Sequence, residues 1–185
     1  MSHRSSMKTD PHASQETRSI PVAKVVIAGD GRAGKTSLIR RYCVGMFQES
    51  RVMTIGVDFQ TKEVDVDGRS IKLSIWDVGG QDRFESFRDT FYRGAKAVAL
   101  VYDVTDLTSM NNLPRWHEEI KKAAPAARFI VVGNKIDLHR SVPREQAKAW
   151  TRTQHLPYCE TSALTGEGVD LFFKALAWLA LNNPG

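Results

Sequence analysis

Cysteine is scarce in this chain of 185 residues: there are two, Cys43 and Cys159. That number excludes the disulfide framework of a small secreted protein and fits a reducing compartment. Long apolar runs are also missing. Stretches such as Ala97–Val101 span a few residues, against the roughly 20 that a membrane-crossing helix needs. The first 20 residues have no apolar segment of the kind a secretory signal carries. No dense basic stripe occurs either. Lys plus Arg total 26 against 21 Asp plus Glu, a net charge of +5, but the basic residues are dispersed. Arg40-Arg41 and Lys121-Lys122 are pairs within helical patterns, which reads as solvated helix faces rather than a nucleic-acid surface. With 42% hydrophobic and 25% charged residues, the composition is that of a globular protein, and the length suits one domain.

Residues 1–20 are polar, Ser-rich and aperiodic and read as a disordered tail, leaving 21–185 as the folded domain. Val22–Ala28 has the composition of a buried parallel strand. A Gly-rich turn and a helix opening at Thr36 follow. Val57–Val66 and Ser70–Asp77 alternate in polarity and meet at Asp67-Gly68, a two-residue hairpin signal. Strands are then expected at Ala97–Tyr102, Arg128–Gly133 and Tyr158-Cys159, with helices over Met110–Ala123, Arg144–Gln154 and Val169–Leu181. This alternation predicts an α/β fold, a mostly parallel sheet of about six strands with one antiparallel edge hairpin and helices on both faces.

Between the first strand and the first helix stands Gly29-Asp30-Gly31-Arg32-Ala33-Gly34-Lys35-Thr36. It matches G-x-x-x-x-G-K-[ST] in the context that gives the motif meaning; by composition alone a match in this length is roughly a 1% event. Glycines let successive N–H groups converge on phosphates at the positive end of a helix dipole. Lys35 would reach the β- and γ-phosphates, and Thr36 would bind Mg²⁺. Asp77, at the end of Ile71–Trp76, is placed to anchor that metal. In Val78-Gly79-Gly80-Gln81 a glycine N–H can approach the γ-phosphate and a glutamine can orient water.

The base is read from Asn134-Lys135-Ile136-Asp137, an N-K-x-D at the end of a strand. A carboxylate accepts from guanine N1–H and the exocyclic amine, whereas adenine offers an acceptor at N1 and no amine at C2. Asn134 can meet the N7 side, and the Lys135 stem can cover a ring face. Ser162-Ala163-Leu164, within Glu160–Leu164, can supply a backbone N–H to guanine O6. Asp137 therefore opposes the reading of an ATPase or kinase.

Together these residues resemble the Ras superfamily of small GTPases over about residues 22–182, with the Rab branch most similar. The segments that carry this are Ile55-Gly56-Val57-Asp58-Phe59, Lys72–Asp77, Asp82-Arg83-Phe84, Phe91-Tyr92-Arg93-Gly94-Ala95 and Leu100–Thr105. The resemblance implies a GTP-hydrolysing switch that binds GTP/GDP with Mg²⁺ through residues 29–37, Ser37 included. It makes Thr54 the switch I threonine on Mg²⁺ and γ-phosphate, Phe47 the aromatic flanking guanine, Gly80 the switch II contact and Gln81 the catalytic glutamine. Its catalytic set is thus Gln81, Lys35, Thr54 and Gly80, and its metal set Thr36, Thr54 and Asp77. It further implies effectors at Phe59, Trp76 and Phe91, a GTPase-activating protein, an exchange factor, and a monomer. For Phe47 the residues alone favour core packing. A module that binds GTP but scarcely hydrolyses it is the competing function.

Three departures stand out. Rab proteins usually have Trp-Asp-Thr-Ala-Gly-Gln where this chain has Trp76-Asp77-Val78-Gly79-Gly80-Gln81, closer to Arf. Arg32 occupies a loop position usually held by a small or neutral residue. The sequence ends Leu181-Asn182-Asn183-Pro184-Gly185 without the C-terminal cysteines that Rab proteins prenylate. The expectation is a cytoplasmic protein with no lipid anchor in this sequence, reaching membranes only through partners or a removed tail.

Overall fold

The computed structural model describes residues 19–47, 54, 56–79 and 85–183. Residues 1–18 of the tail expected over 1–20, together with Ile55, Gly80, Gln81 and the Asp82-Arg83-Phe84 segment, lie outside the described residues. Six strands form one sheet: β1 (Val22–Ala28), β2 (Val57–Val66), β3 (Arg69–Val78), β4 (Ala97–Asp103), β5 (Arg128–Asn134) and β6 (Tyr158–Thr161). Their order is β2-β3-β1-β4-β5-β6. Every pairing is parallel except the β2–β3 hairpin at one edge. The turn residues Asp67 and Gly68 have φ of 53° and 73°, the two positive values that the favoured two-residue hairpin requires.

Strand alternation sends side chains to two cores. Val25 and Ile27 pack with Leu38 of α1 (Lys35–Val44) and with Phe172, Phe173 and Leu176 of α6 (Val169–Leu181). Val26, Leu100 and Val131 pack on the other face with Tyr92 of α2 (Glu85–Tyr92), Trp116 and Ile120 of α4 (Leu113–Ala123), and Ala147 of α5 (Arg144–Thr153). Both faces of β1 and β4 are covered, which is why these strands read as continuous apolar runs.

The expected helix over Met110–Ala123 is in fact two. A short α3 (Leu107–Asn111), capped by Asp106 on Thr108 N–H, stops at Asn112, and α4 restarts with Pro114 in its first turn. Proline lacks an N–H and is at home only where that donor is already unpaired, so it marks a start rather than an interior. Helix α2 had no place in the sequence-based expectation. Its residues Glu85–Tyr92 follow the strand that ends in the switch motif.

Candidate functional site

The carboxyl ends of β1, β3 and β5 and the loop after β6 meet at one edge of the sheet, the usual binding crevice of an open α/β fold. The phosphate loop leaves β1 under tight steric control. Gly29 has φ 134°, and a Cβ there would lie 2.1 Å from the Val101 carbonyl oxygen; at Gly34 (φ 91°) it would lie 2.3 Å from Asn134 Nδ2. Neither position tolerates a side chain. Lys35, 6% exposed, folds its ammonium back over the loop and donates to the carbonyls of Gly29 at 2.7 Å and Asp30 at 2.8 Å. Burial pushes its pKa down to about 8 against the opposing pull of Asp77 and Asp30, with Arg88 adding to the depression. Gly31 and Ser37 are half-buried, Ala33 is buried, and Arg32 is exposed. Arg32 takes φ 67°, a left-handed conformation that costs a non-glycine residue about 1 kcal/mol or more.

The three residues expected to hold a metal converge. Thr36 Oγ1 donates to Asp77 Oδ2, and Thr54 Oγ1 lies 2.9 Å from Thr36 Oγ1 and 3.2 Å from the same carboxylate oxygen. Asp77 is 3% exposed, and its Oδ1 has no hydrogen-bond partner among the described residues. A buried carboxylate oxygen in that state calls for a cation or an ordered water. Burial raises the Asp77 pKa, opposed by the Thr36 bond and the Lys35 charge. Two hydroxyls and one carboxylate, all oxygen, suit Mg²⁺, which takes a few protein oxygens and completes its shell with phosphate and water. The residues fit the ion.

The two loops expected to hold the base, after β5 and after β6, are tied to each other. Ser162 Oγ donates to Asp137 Oδ1 at 2.5 Å, which orients the carboxylate. Asn134, 1% exposed, donates to the Ala33 carbonyl at 3.0 Å and accepts from Thr161 Oγ1 at 3.1 Å and Ala163 N at 3.3 Å. It thus pins the phosphate loop to the loop after β6. Lys135 takes φ 69° and pairs with Asp103 Oδ2 at 2.5 Å, so its stem is held at the β4–β5 edge. Leu164 is exposed. Phe47, just past α1, is 37% exposed and is not a core residue, contrary to the reading from residues alone.

Phe59 and Trp76 are direct cross-strand partners with ring centroids 6.1 Å apart, and Phe91 stands 6.5 Å from Trp76. Phe59 is 62% exposed, while Trp76 and Phe91 pack partly on the core.

Several residues that shape the site escaped sequence reasoning. The Asp30 carboxylate accepts from Asn112 Nδ2 at 2.6 Å and Trp116 Nε1 at 2.7 Å, partners 82 and 86 positions away. Glu160, ahead of the Ser162 loop, is clasped by Arg140 at 3.0 Å, Arg144 at 3.2 Å and Tyr158 Oη at 2.5 Å. Charged partners and that hydroxyl hold its pKa low in spite of burial, which opposes them. Arg140 follows Asp137 closely enough that a charge scan of this stretch could have flagged it. Nothing local announces Asn112 or Trp116.

The fold and this edge define a phosphate-loop GTPase. The model of the Ras family matches residues 24–182, and the chain belongs to that family. It is similar to the Ras-related protein Rab7 of Glycine max, 44% identical over 170 residues that cover 86% of this chain and 82% of that protein. It is 44% identical to the Ras-related protein RABG3a of Arabidopsis thaliana, with 90% and 86% covered, and 40% identical to the GTP-binding protein yptV5 of Volvox carteri, with the same shares. The chain is a Rab-like small GTPase that uses GTP, GDP and Mg²⁺. Effectors, GTPase-activating proteins and exchange factors are the partners its family works with. Among the described residues no helix is long and apolar enough to cross a membrane.

Proposed function

We propose that this chain switches effector binding in membrane trafficking by the state of the nucleotide at the crevice just described, and that it does so as a monomer. The convergence of Thr36, Thr54 and Asp77 around an unsatisfied buried oxygen carries this reading, because it joins the phosphate loop, the segment before β2 and the end of β3 at one point. Residues 29–37 cradle the phosphates with backbone N–H groups. Lys35 gives two of its three N–H donors to the Gly29 and Asp30 carbonyls and keeps the third for the phosphate oxygens. Thr36, Thr54 and Asp77 would hold Mg²⁺, whose charge would offset that of the phosphates. Asp137, oriented by Ser162, reads the guanine edge; Ala163 N–H, shared with Asn134 Oδ1, faces O6, with Leu164 beside it; the Lys135 stem and Phe47 enclose the ring. Asn134 serves mainly as the tie between the phosphate and base loops.

Gly80 senses the γ-phosphate and Gln81 orients the attacking water; both roles rest on the family resemblance. Thr54 and Gly80 close two loops in the triphosphate state, and loss of the γ-phosphate releases them. Phe59, Trp76 and Phe91 form the effector face between those loops. Unassisted turnover is slow, on the order of 10⁻⁴ to 10⁻² s⁻¹, with a partner protein raising it. Calorimetric titration with GTP, GDP and ATP, followed by single-turnover hydrolysis of wild type and Gln81→Leu, tests this. The expected outcome is tight guanine-selective binding in both proteins and slower hydrolysis in the variant. Equal binding of ATP, or equal hydrolysis, would overturn it.

A further inference from the structure

The Asp30 carboxylate is a negative charge inside a loop built for phosphates, and it is held by two donors from the start of α4: Asn112 Nδ2 at 2.6 Å and Trp116 Nε1 at 2.7 Å. Trp116 is fully buried, and its indole does a second job. The Arg88 guanidinium of α2 lies 4.5 Å from the Trp116 ring centroid. Arg88 is itself 1% exposed and is held by both oxygens of Glu119 on α4, Nε to Oε1 at 2.8 Å and Nη2 to Oε2 at 3.0 Å. Tyr92 Oη, also on α2, donates to the same Oε1 at 3.0 Å. One side chain of α4 therefore touches the phosphate loop with its edge and α2 with its face.

We propose that Trp116 is a positioning residue that couples α2 to the phosphate loop: its N–H fixes the Asp30 carboxylate while its ring seats Arg88, so that displacement of α2 changes how tightly the loop retains a guanine nucleoside diphosphate. This rests on the reading that the loop binds nucleotide phosphates. Arg88 cannot shift without leaving the ring, which it shares with Arg115 at 5.5 Å, or breaking a bidentate, charge-assisted pair. The ring cannot follow it without lengthening the bond to Asp30. A carboxylate that loses that bond keeps only Asn112 on its other oxygen and can turn toward the phosphates it repels. Through this route a protein that pulls on α2 would loosen the nucleotide without touching it.

The test is the rate at which labelled GDP leaves the full chain, with Mg²⁺ present and excess unlabelled GDP as chase. Arg88→Met keeps the length of the stem and removes the guanidinium; Trp116→Phe keeps a ring and removes the N–H. Each should speed release about tenfold, the effect of losing one charge-assisted contact. In an Asp30→Ala background each should change the rate less than twofold, because no carboxylate remains to be held. A purely structural role would give the same factor in both backgrounds, and that result would overturn the coupling, as would wild-type release rates in variants that melt normally. If Arg88→Met does not fold, Arg88→Gln takes its place in the same comparison, because the α2 side of the coupling runs through Arg88. Failure of the wild-type chain to bind labelled GDP would overturn the nucleotide reading as well, and so is distinguishable.

Discussion

The Gly79 N–H donates to the Gly56 carbonyl at 2.8 Å, and so fastens the end of β3 to the segment that carries Thr54. A Cβ at position 79 would lie 2.6 Å from the Thr54 carbonyl and 3.0 Å from that of Gly56. Glycine is what allows the two stretches to close, and its presence where Rab proteins carry alanine has a local steric meaning. Gly79→Ala should push the Thr54 segment off the Thr36–Asp77 pair. Because small misplacements at a reacting centre cost about tenfold to a hundredfold, single-turnover GTP hydrolysis should fall by that factor while GDP affinity, which does not need Thr54, changes little. Unaltered hydrolysis in the variant would show that the loops close by another route.

Asp137 receives the Ser162 hydroxyl on Oδ1, which leaves Oδ2 and the second lone pair of Oδ1 for a ligand. Asp137→Asn exchanges one acceptor for a donor. The variant should lose GTP affinity and take xanthosine nucleotides instead, since xanthine presents the inverse pattern at that edge. Sites built around such polar pairs discriminate by 10⁴ or more. Competition of GTP, XTP and ATP against a labelled nucleotide measures this, and continued preference for GTP would refute the assignment.

Much of the site was legible because its signals are contiguous. Residues 29–36 announce the phosphate loop, and 134–137 the base loop, each at a strand end where parallel pairing collects them on one edge. The hairpin was legible for the same reason: Asp67-Gly68 accepts the two positive φ values that the turn demands. What remained hidden is long-range. Asp30 finds Asn112 and Trp116, and Arg88 finds Glu119 31 positions on, only after the sheet has brought α2 and α4 together. No periodicity encodes those pairs. The break at Asn112 was missed because the apolar spacing runs across it; Pro114 was the available sign.

Phe59 exposes 62% of its surface yet sits directly across from Trp76. A ring this open contributes little to folding, so Phe59→Ala should leave the melting temperature nearly unchanged, within about 0.5 kcal/mol of stability. Aromatic anchors do dominate binding interfaces, where truncating one costs about 2 kcal/mol or more. The variant should therefore keep its GTP affinity and lose the partners that wild-type protein captures only when loaded with a GTP analogue. A variant that still captures those partners when loaded with the analogue would place the effector surface elsewhere.

His117 gives the fold a dependence on pH that arises away from the nucleotide site. It is 9% exposed on α4, edge-on to Phe129 of β5 at 4.7 Å and to Trp150 of α5 at 6.3 Å. Burial among those rings lowers its pKa from 6.5, the charge of Lys121 lowers it further, and Glu118 opposes. In the unfolded chain the imidazole takes up its proton near pH 6.5, whereas in the folded chain it does so only at lower pH. The unfolded state therefore binds more protons as pH falls, and stability present above pH 6.5 is lost below it. Thermal melts of the GDP-bound protein should shift downward between pH 7.5 and 5.5. In His117→Phe, which keeps a ring against Phe129 and Trp150 but cannot titrate, the slope should be shallower over the same interval. Parallel curves for the two proteins would assign the loss to other groups.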